Sequence, residues 1–155
     1  MKIKPKIENR DRQHFLTIRK KLKREEIPIL LPPLISELFN WFKQKKINPD
    51  GAPFFNYIKM DAGEMEIEVG IPTNSRIDGD DRVQAGSFPS GKYAVASYTG
   101  PYNKLFEVHT EIENWKDENH LKFKAPKVEF YPIDPVAEPD SEKWVTIIIN
   151  KIDES

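Results

Sequence analysis

Apolar residues along the chain change period twice, in the same order each time. "QHFLTIRKKL" (13–22) alternates loosely, with Phe15 and Ile18 among polar neighbours, and predicts a strand running into a basic stretch. In "REEIPILLPPLISELFNWFKQKKI" the period becomes helical: Leu34, Ile35, Leu38, Trp41 and Phe42 share one stripe, Pro33 suits a first helical residue, and the helix is expected to stop near Lys46. "NPDG" then predicts a turn, and "APFFNYIKMD" and "EMEIEVGIP" predict two strands joined through "DAGE". In the second of these, Met65, Ile67, Val69 and Ile71 alternate with Glu64, Glu66, Glu68 and Gly70. The polar, glycine- and aspartate-rich "TNSRIDGDDRVQAGSFPSG" reads as a connector. After it, "KYAVASY" predicts a strand, and "TGPYNKLFEVHTEIENWKDENHLKF" a helix with Leu105, Val108, Ile112 and Trp115 on one side. "APKVEFYPID" and "SEKWVTIIINKI" predict two closing strands.

Each half therefore reads strand, helix, strand, strand, and residues match as well as elements. Glu37 and Glu111, and Trp41 and Trp115, are each separated by 74 positions; the Ala-Pro pairs that open "APFFNYIKMD" and "APKVEFYPID" are separated by 73. Matches in the same order within matching element strings point to an internal repeat, about 13–73 and 91–152, within a single domain spanning 1–155. The expected class is α+β: two pseudo-symmetric strand-helix-strand-strand modules forming one antiparallel sheet, with helices on one face and a ligand groove on the other.

Composition narrows the chemistry. The chain has 155 residues with a formal charge of −1 and no cysteine, so it offers neither a global field for nucleic acid or anionic membrane nor a thiolate nucleophile or cysteine metal site. No apolar run reaches the roughly 20 residues of a membrane span, and the expected location is the cytoplasm. No cofactor motif, nucleophile elbow or phosphate loop is present. His109 and Glu113 stand one helical turn apart, a spacing two metal ligands can share, but a pair alone is a weak signal and no metal is expected.

The residue that stands out is Glu129, a carboxylate in the apolar stretch "KVEFYPI". On a simple strand it would face water. In a duplicated sheet, Val128 and Phe130 are expected to meet the helix while Glu129 and Tyr131 point into the groove. At the 73-residue offset Glu129 stands opposite Asn56, so the carboxylate breaks the symmetry, and ligand specificity is expected where symmetry is broken. Glu68 reads as solvent-facing, with a second groove carboxylate as the alternative. Trp41 and Trp115 read first as core anchors, and Met65 and Trp144 fit core or groove equally.

The stretches "GKYAVASYTGPYNKLFEVHTEIENW", "VEFYPIDPVAEPDSEKWVTIII" and "GAPFFNYIKMD" with "MEIEVGIP" resemble the bacterial GyrI-like (gyrase-inhibitor-like) small-molecule-binding, or effector-binding, domains, over about Phe15 to Ile152. The resemblance implies an aromatic pocket with a glutamate at its base. The glutamate maps to Glu129, and the aromatics to Tyr57, Tyr98, Tyr131, Trp115 and Trp144, with the face of Tyr57 depending on which offset holds. It implies a stand-alone form that does not bind DNA directly.

Three roles follow from the resemblance. The first is binding of amphipathic or cationic aromatic compounds, as in multidrug recognition, with Glu129 as anchor. The second is hydrolysis of reactive cyclopropane-containing compounds, with Glu129 and Tyr131 as the catalytic pair and Tyr57 as an alternative helper. The third is an interaction with a protein partner such as DNA gyrase. A carboxylate ringed by aromatic faces suits a flat cation through ion pairing and cation–π attraction, and burial that raises its pKa would also suit it to proton transfer. The residues alone leave binding and turnover open.

Overall fold

The computed structural model describes residues 3–61 and 63–155, and these form two units: Asp11–Ser90, and Gly91–Ser155 together with the segment ending at Arg10. In chain order the elements are β1 (Lys6–Arg10), β2 (Gln13–Leu22), α1 (Ile27–Gln44), β3 (Phe54–Met60), β4 (Met65–Thr73), β5 (Gln84–Phe88), β6 (Gly91–Thr99), α2 (Leu105–Glu118), β7 (Phe123–Phe130) and β8 (Val145–Ile152). The α+β class and the two strand-helix-strand-strand modules are as the pattern predicts.

Within Asp11–Ser90 the antiparallel strand order is β3-β4-β2-β5; within the other unit it is β7-β8-β6-β1. Each module thus carries one additional edge strand, drawn from the segment that precedes the other module. Neither edge strand was expected: β1 lies in the opening segment and β5 in the stretch read as a connector. "KIENR" is almost wholly exposed and "QAGSF" is polar and small up to its last residue, the buried Phe88, because an edge strand needs only one hydrogen-bonded neighbour and little apolar surface of its own.

The first helix begins at Ile27, six residues before Pro33, and holds Pro32 and Pro33 inside it. Both prolines are exposed and lie in the first two turns, while Leu31 on the inner side is fully buried. Extending the stripe to Leu31, Leu34, Leu38 and Phe42 offsets the backbone hydrogen bonds the prolines remove.

The two helices end alike. Lys46 and His120 each adopt the left-handed conformation (φ 58 and 56), and Ile47 N and Leu121 N close back onto Phe42 O and Lys116 O, capping otherwise orphaned carbonyls. These equivalent residues keep the 74-residue spacing of the sequence repeat.

The core of the first unit packs α1 on β2 and β4, where Ile67, Val69 and Ile71 are fully buried as the alternation predicts. The opposite side of β4 is buried too. Phe15, Phe54 and Phe88 cluster there with ring centroids 4.6 to 5.3 Å apart, and a Cβ on Gly70 would enter the Phe54 ring. In the second unit Ala96, Tyr98 and Ile148 pack against Val108 and Ile112 of α2. No helix among the described residues is long and apolar enough to cross a membrane.

Candidate functional site

The end of strand β7 is buried on both faces: Val128, Glu129 and Phe130 are all buried, Glu129 being 3% exposed. Glu129 pairs across the ladder with Ile148, and Ile148 packs against α2. Directly paired residues share a side of the sheet, so the carboxylate points toward α2. This reverses the expectation that Val128 and Phe130 meet the helix. Strand alternation separates two sets of residues without saying which set the helix covers, and here α2 covers the set that includes Glu129.

A residue of α2 and a residue just past β7 close on that carboxylate. His109 of α2 places Nε2 2.5 Å from Oε2, and the Tyr131 hydroxyl donates to Oε1. Tyr131 lies just past the end of β7, freed from strict alternation, so it can turn back onto the residue two positions before it.

Half-buried aromatic rings continue outward from Tyr131. Its ring lies edge-on to Tyr102 (5.6 Å), and Tyr102 lies 4.7 Å from Trp144. Burial pushes the Tyr102 phenol above its ordinary pKa, with the negative charges of Asp134 and Glu129 adding to the effect.

The turn that carries Tyr102 is built by its own sequence. Gly100 has φ 148, and a Cβ there would strike the Tyr98 hydroxyl. Gly100 N donates to Trp144 O (2.8 Å), and the Tyr98 hydroxyl donates to Pro101 O (2.8 Å). The Trp144 indole donates to Glu138 O (2.6 Å), tying the loop before β8 to the same turn. Together these contacts hold Trp144 against Tyr102, the first residue of the short 3-10 turn Tyr102–Lys104, with the two rings tilted by 32°.

Of the sequence-predicted residues, Glu129, Tyr131 and Trp144 come together in this cluster. Tyr98 lies beside it as a structural residue, buried among α2 contacts with its hydroxyl committed to the Gly-Pro turn. Trp115 stands six residues after His109 on α2, which is about 120° around the helix from it. It is half-buried there.

Glu68 and Tyr57 belong to the Asp11–Ser90 unit. They lie on opposite sides of the β3–β4 pair, since Asn56 stands across from Glu68 and Tyr57 from Ile67. Glu68 was expected to face solvent but is 7% exposed. Its oxygens accept from Asn56 Nδ2 (2.8 Å), Thr17 Oγ1 (3.2 Å) and Arg19 Nη2 (3.2 Å).

Reasoning from sequence missed His109 as the partner of Glu129 and Tyr102 as the central ring. Tyr102 had a signal in the Gly-Pro-Tyr motif. His109 had none, because its contact crosses from helix to strand. The helical pair His109 and Glu113 divides its attention: Glu113 engages Lys116 Nζ at 2.6 Å. Among the described residues no group of three or more metal-ligating side chains converges.

A depression of about 270 Å³ by the β3–β4 turn is lined by Lys23, Arg24, Glu25, Met60, Asp61, Gly63 and Met65. Apart from Met65 it contains no candidate residue, and its charges of both signs define no preference.

Residues 3–152 match the GyrI-like small molecule binding domain. No curated protein sequence matches the chain. Among solved structures it is similar to EcmrR in a complex with DNA (TM-score 0.83, 16% identity), covering 99% of this chain and 58% of that one, so it spans little more than half the length of EcmrR. The EcmrR C-terminal domain alone is covered completely (TM-score 0.78, 18% identity, 100% of both chains). SAV2435 bound to tetraphenylphosphonium gives a TM-score of 0.74 at 15% identity over 97% and 94% of the two chains. A hydrolase from Listeria innocua gives 0.65 at 16% over 98% and 93%. At these identities the structural likeness speaks for the fold, while the match along the sequence speaks for the family: the chain belongs to the GyrI-like small molecule binding domain family.

Proposed function

We propose that this protein binds amphipathic aromatic cations, with Glu129 as the charge anchor and Tyr102, Tyr131 and Trp144 as the aromatic surround. The observation that carries the reading is the placement of a carboxylate, 3% exposed, at the inner end of a row of half-buried rings. A lipophilic cation gains on both counts: each well-placed ring contributes about 0.5 to 2 kcal/mol, and the carboxylate adds a charge interaction strengthened by burial. The similarity in fold to SAV2435, a structure that holds tetraphenylphosphonium, supports the same ligand class.

The test is a titration with tetraphenylphosphonium. Glu129→Gln keeps the shape and removes the charge. It is expected to weaken binding about tenfold or more, since the attraction between two unit charges near a protein surface is on the order of a few kcal/mol and the phosphonium is held by charge without a hydrogen bond. Equal affinity in the two proteins would remove Glu129 as anchor.

A second reading, hydrolysis, is favoured by one observation: the two oxygens of Glu129 contact a phenol and an imidazole, groups that can relay protons to and from a bound compound. In that version Glu129 takes a proton from water as its oxygen bonds to a ring carbon, and the adjacent cyclopropane C–C bond breaks. Tyr131 stabilises the negative charge that develops on the departing side, and Glu129 returns the proton to the carbon released, so that the product has gained one water. Mass spectrometry of a cyclopropane-containing electrophile after incubation decides it, turnover appearing as a gain of one water that Glu129→Gln abolishes.

A further inference from the structure

His109 stands where the charge of a cationic ligand would be drawn. Its Nε2 is 2.5 Å from Glu129 Oε2, and its side chain is 16% exposed, so the ring reaches both the buried carboxylate and the surface. A protonated imidazole at that distance makes the pair neutral overall. A neutral imidazole leaves the carboxylate its charge. Histidine is the side chain whose charge ordinarily changes between pH 5 and 8.

We infer that His109 is a specificity-determining residue of the Glu129 site, an internal counter-ion that competes with cationic ligands and does not compete with neutral ones. The inference rests on the reading of Glu129 as anchor. A phosphonium or quaternary ammonium has no N–H to offer, so it is held through net charge and ring faces alone. It gains the full charge of Glu129 only when His109 is neutral or turned aside.

Other charged groups face the pair from each neighbouring element. Lys127 on β7 is half-buried, and desolvation lowers its pKa, against the opposing pull of Glu113 and Glu129. Tyr131 and Asp134 follow β7, and Tyr102 comes from the turn before α2. On α2 itself, Glu113 is paired with Lys116. Of these groups, His109 and Tyr131 touch the carboxylate oxygens, and of those two only an imidazole ordinarily gains or loses charge near neutral pH.

The experiment titrates the full chain with tetraphenylphosphonium and with the neutral triphenylphosphine oxide between pH 5.5 and 8.5, in wild type, His109→Gln and Glu129→Gln. In wild type the affinity for the cation is expected to rise with pH, by up to about tenfold per unit on the acid side, and then level off. The neutral compound should show no such slope. In His109→Gln the cation should bind equally across the range, at or above the alkaline wild-type affinity.

Calorimetry of wild type in two buffers of different ionisation enthalpy gives an independent readout that needs no variant: up to one proton released per cation bound at acid pH, and fewer as the pH rises. A flat wild-type profile without proton release overturns the role of His109, as does a slope that survives His109→Gln. Cation binding untouched by Glu129→Gln overturns the anchor reading itself, and absence of binding by wild type at every pH overturns both.

Discussion

Glu68 and Glu129 are both buried carboxylates on strands of their units, yet their neighbours make them different groups. Glu68 is met by the Arg19 guanidinium, an asparagine amide and a threonine hydroxyl, a set that includes a permanent cation. Glu129 is met by the Tyr131 phenol and the His109 imidazole. A carboxylate fixed to a guanidinium has its charge answered within the fold. The phenol and the imidazole both have neutral forms, so neither fixes a permanent counter-charge on Glu129, and the charge of Lys127, which also acts on it, is disfavoured by burial. Burial alone does not mark a binding carboxylate; the permanence of its counter-charge is the better guide.

The largest effect that sharpens this comparison is on the floor of the Glu129 site. Ile148 is fully buried opposite Glu129 and packs on α2, so Ile148→Ala is expected to cost about 2 to 5 kcal/mol, seen as a lower urea midpoint. An unchanged midpoint would mean that α2 does not depend on this surface.

A smaller effect is expected at the other carboxylate. The Arg19 side chain is 46% exposed, so screening limits its ion pair with Glu68, and Arg19→Gln should lower stability by only about 0.5 to 1 kcal/mol. Tetraphenylphosphonium affinity should stay at the wild-type value in the same protein. A loss like that expected for Glu129→Gln would erase the distinction between the two sites.

The smallest effect compares two indoles. Trp41 donates to the Asp80 carboxylate at 2.9 Å, whereas Trp144 donates to a backbone carbonyl, which does not titrate in this range. The Val83 backbone N–H, followed by the Trp41 indole and the Arg82 N–H, lowers the Asp80 pKa from 3.8 to about 2. A carboxyl depressed by folding stabilises the protein above its unfolded value, and that contribution fades as pH falls through the window between the two values. The difference in urea midpoint between wild type and Asp80→Asn should therefore narrow from pH 5 to pH 3. A gap that stays constant or widens would show that the Asp80 contacts do not form in solution.

Most of the module pattern was legible in the sequence, and the reasons are local. Ile67, Val69 and Ile71 alternate because a strand sends successive side chains to opposite sides, and all three are buried as expected; Met65, which fitted core or groove equally, is buried with them. Val108 and Ile112 mark the inner side of α2 through helical spacing. The two edge strands escaped notice because a single ladder of backbone hydrogen bonds demands little of the side chains. The early start of α1 escaped because proline usually signals a boundary, whereas here the burial of Leu31 outweighs it.

The candidate site was legible in part. Glu129 drew attention because a carboxylate in an apolar strand is costly unless something receives it; Tyr131 came with it through strand alternation, and Trp144 as a pocket aromatic came with the family resemblance. Sequence by itself determined the periods, the repeated order of elements and the presence of that unusual carboxylate, since these depend on neighbours along the chain. Only the tertiary structure decided that Glu129 turns toward α2, that His109 meets it from 20 residues away, and that Arg19 answers Glu68. Each depends on which side of a doubly buried strand a helix covers and on contacts between segments far apart in the chain, where local alternation carries no information.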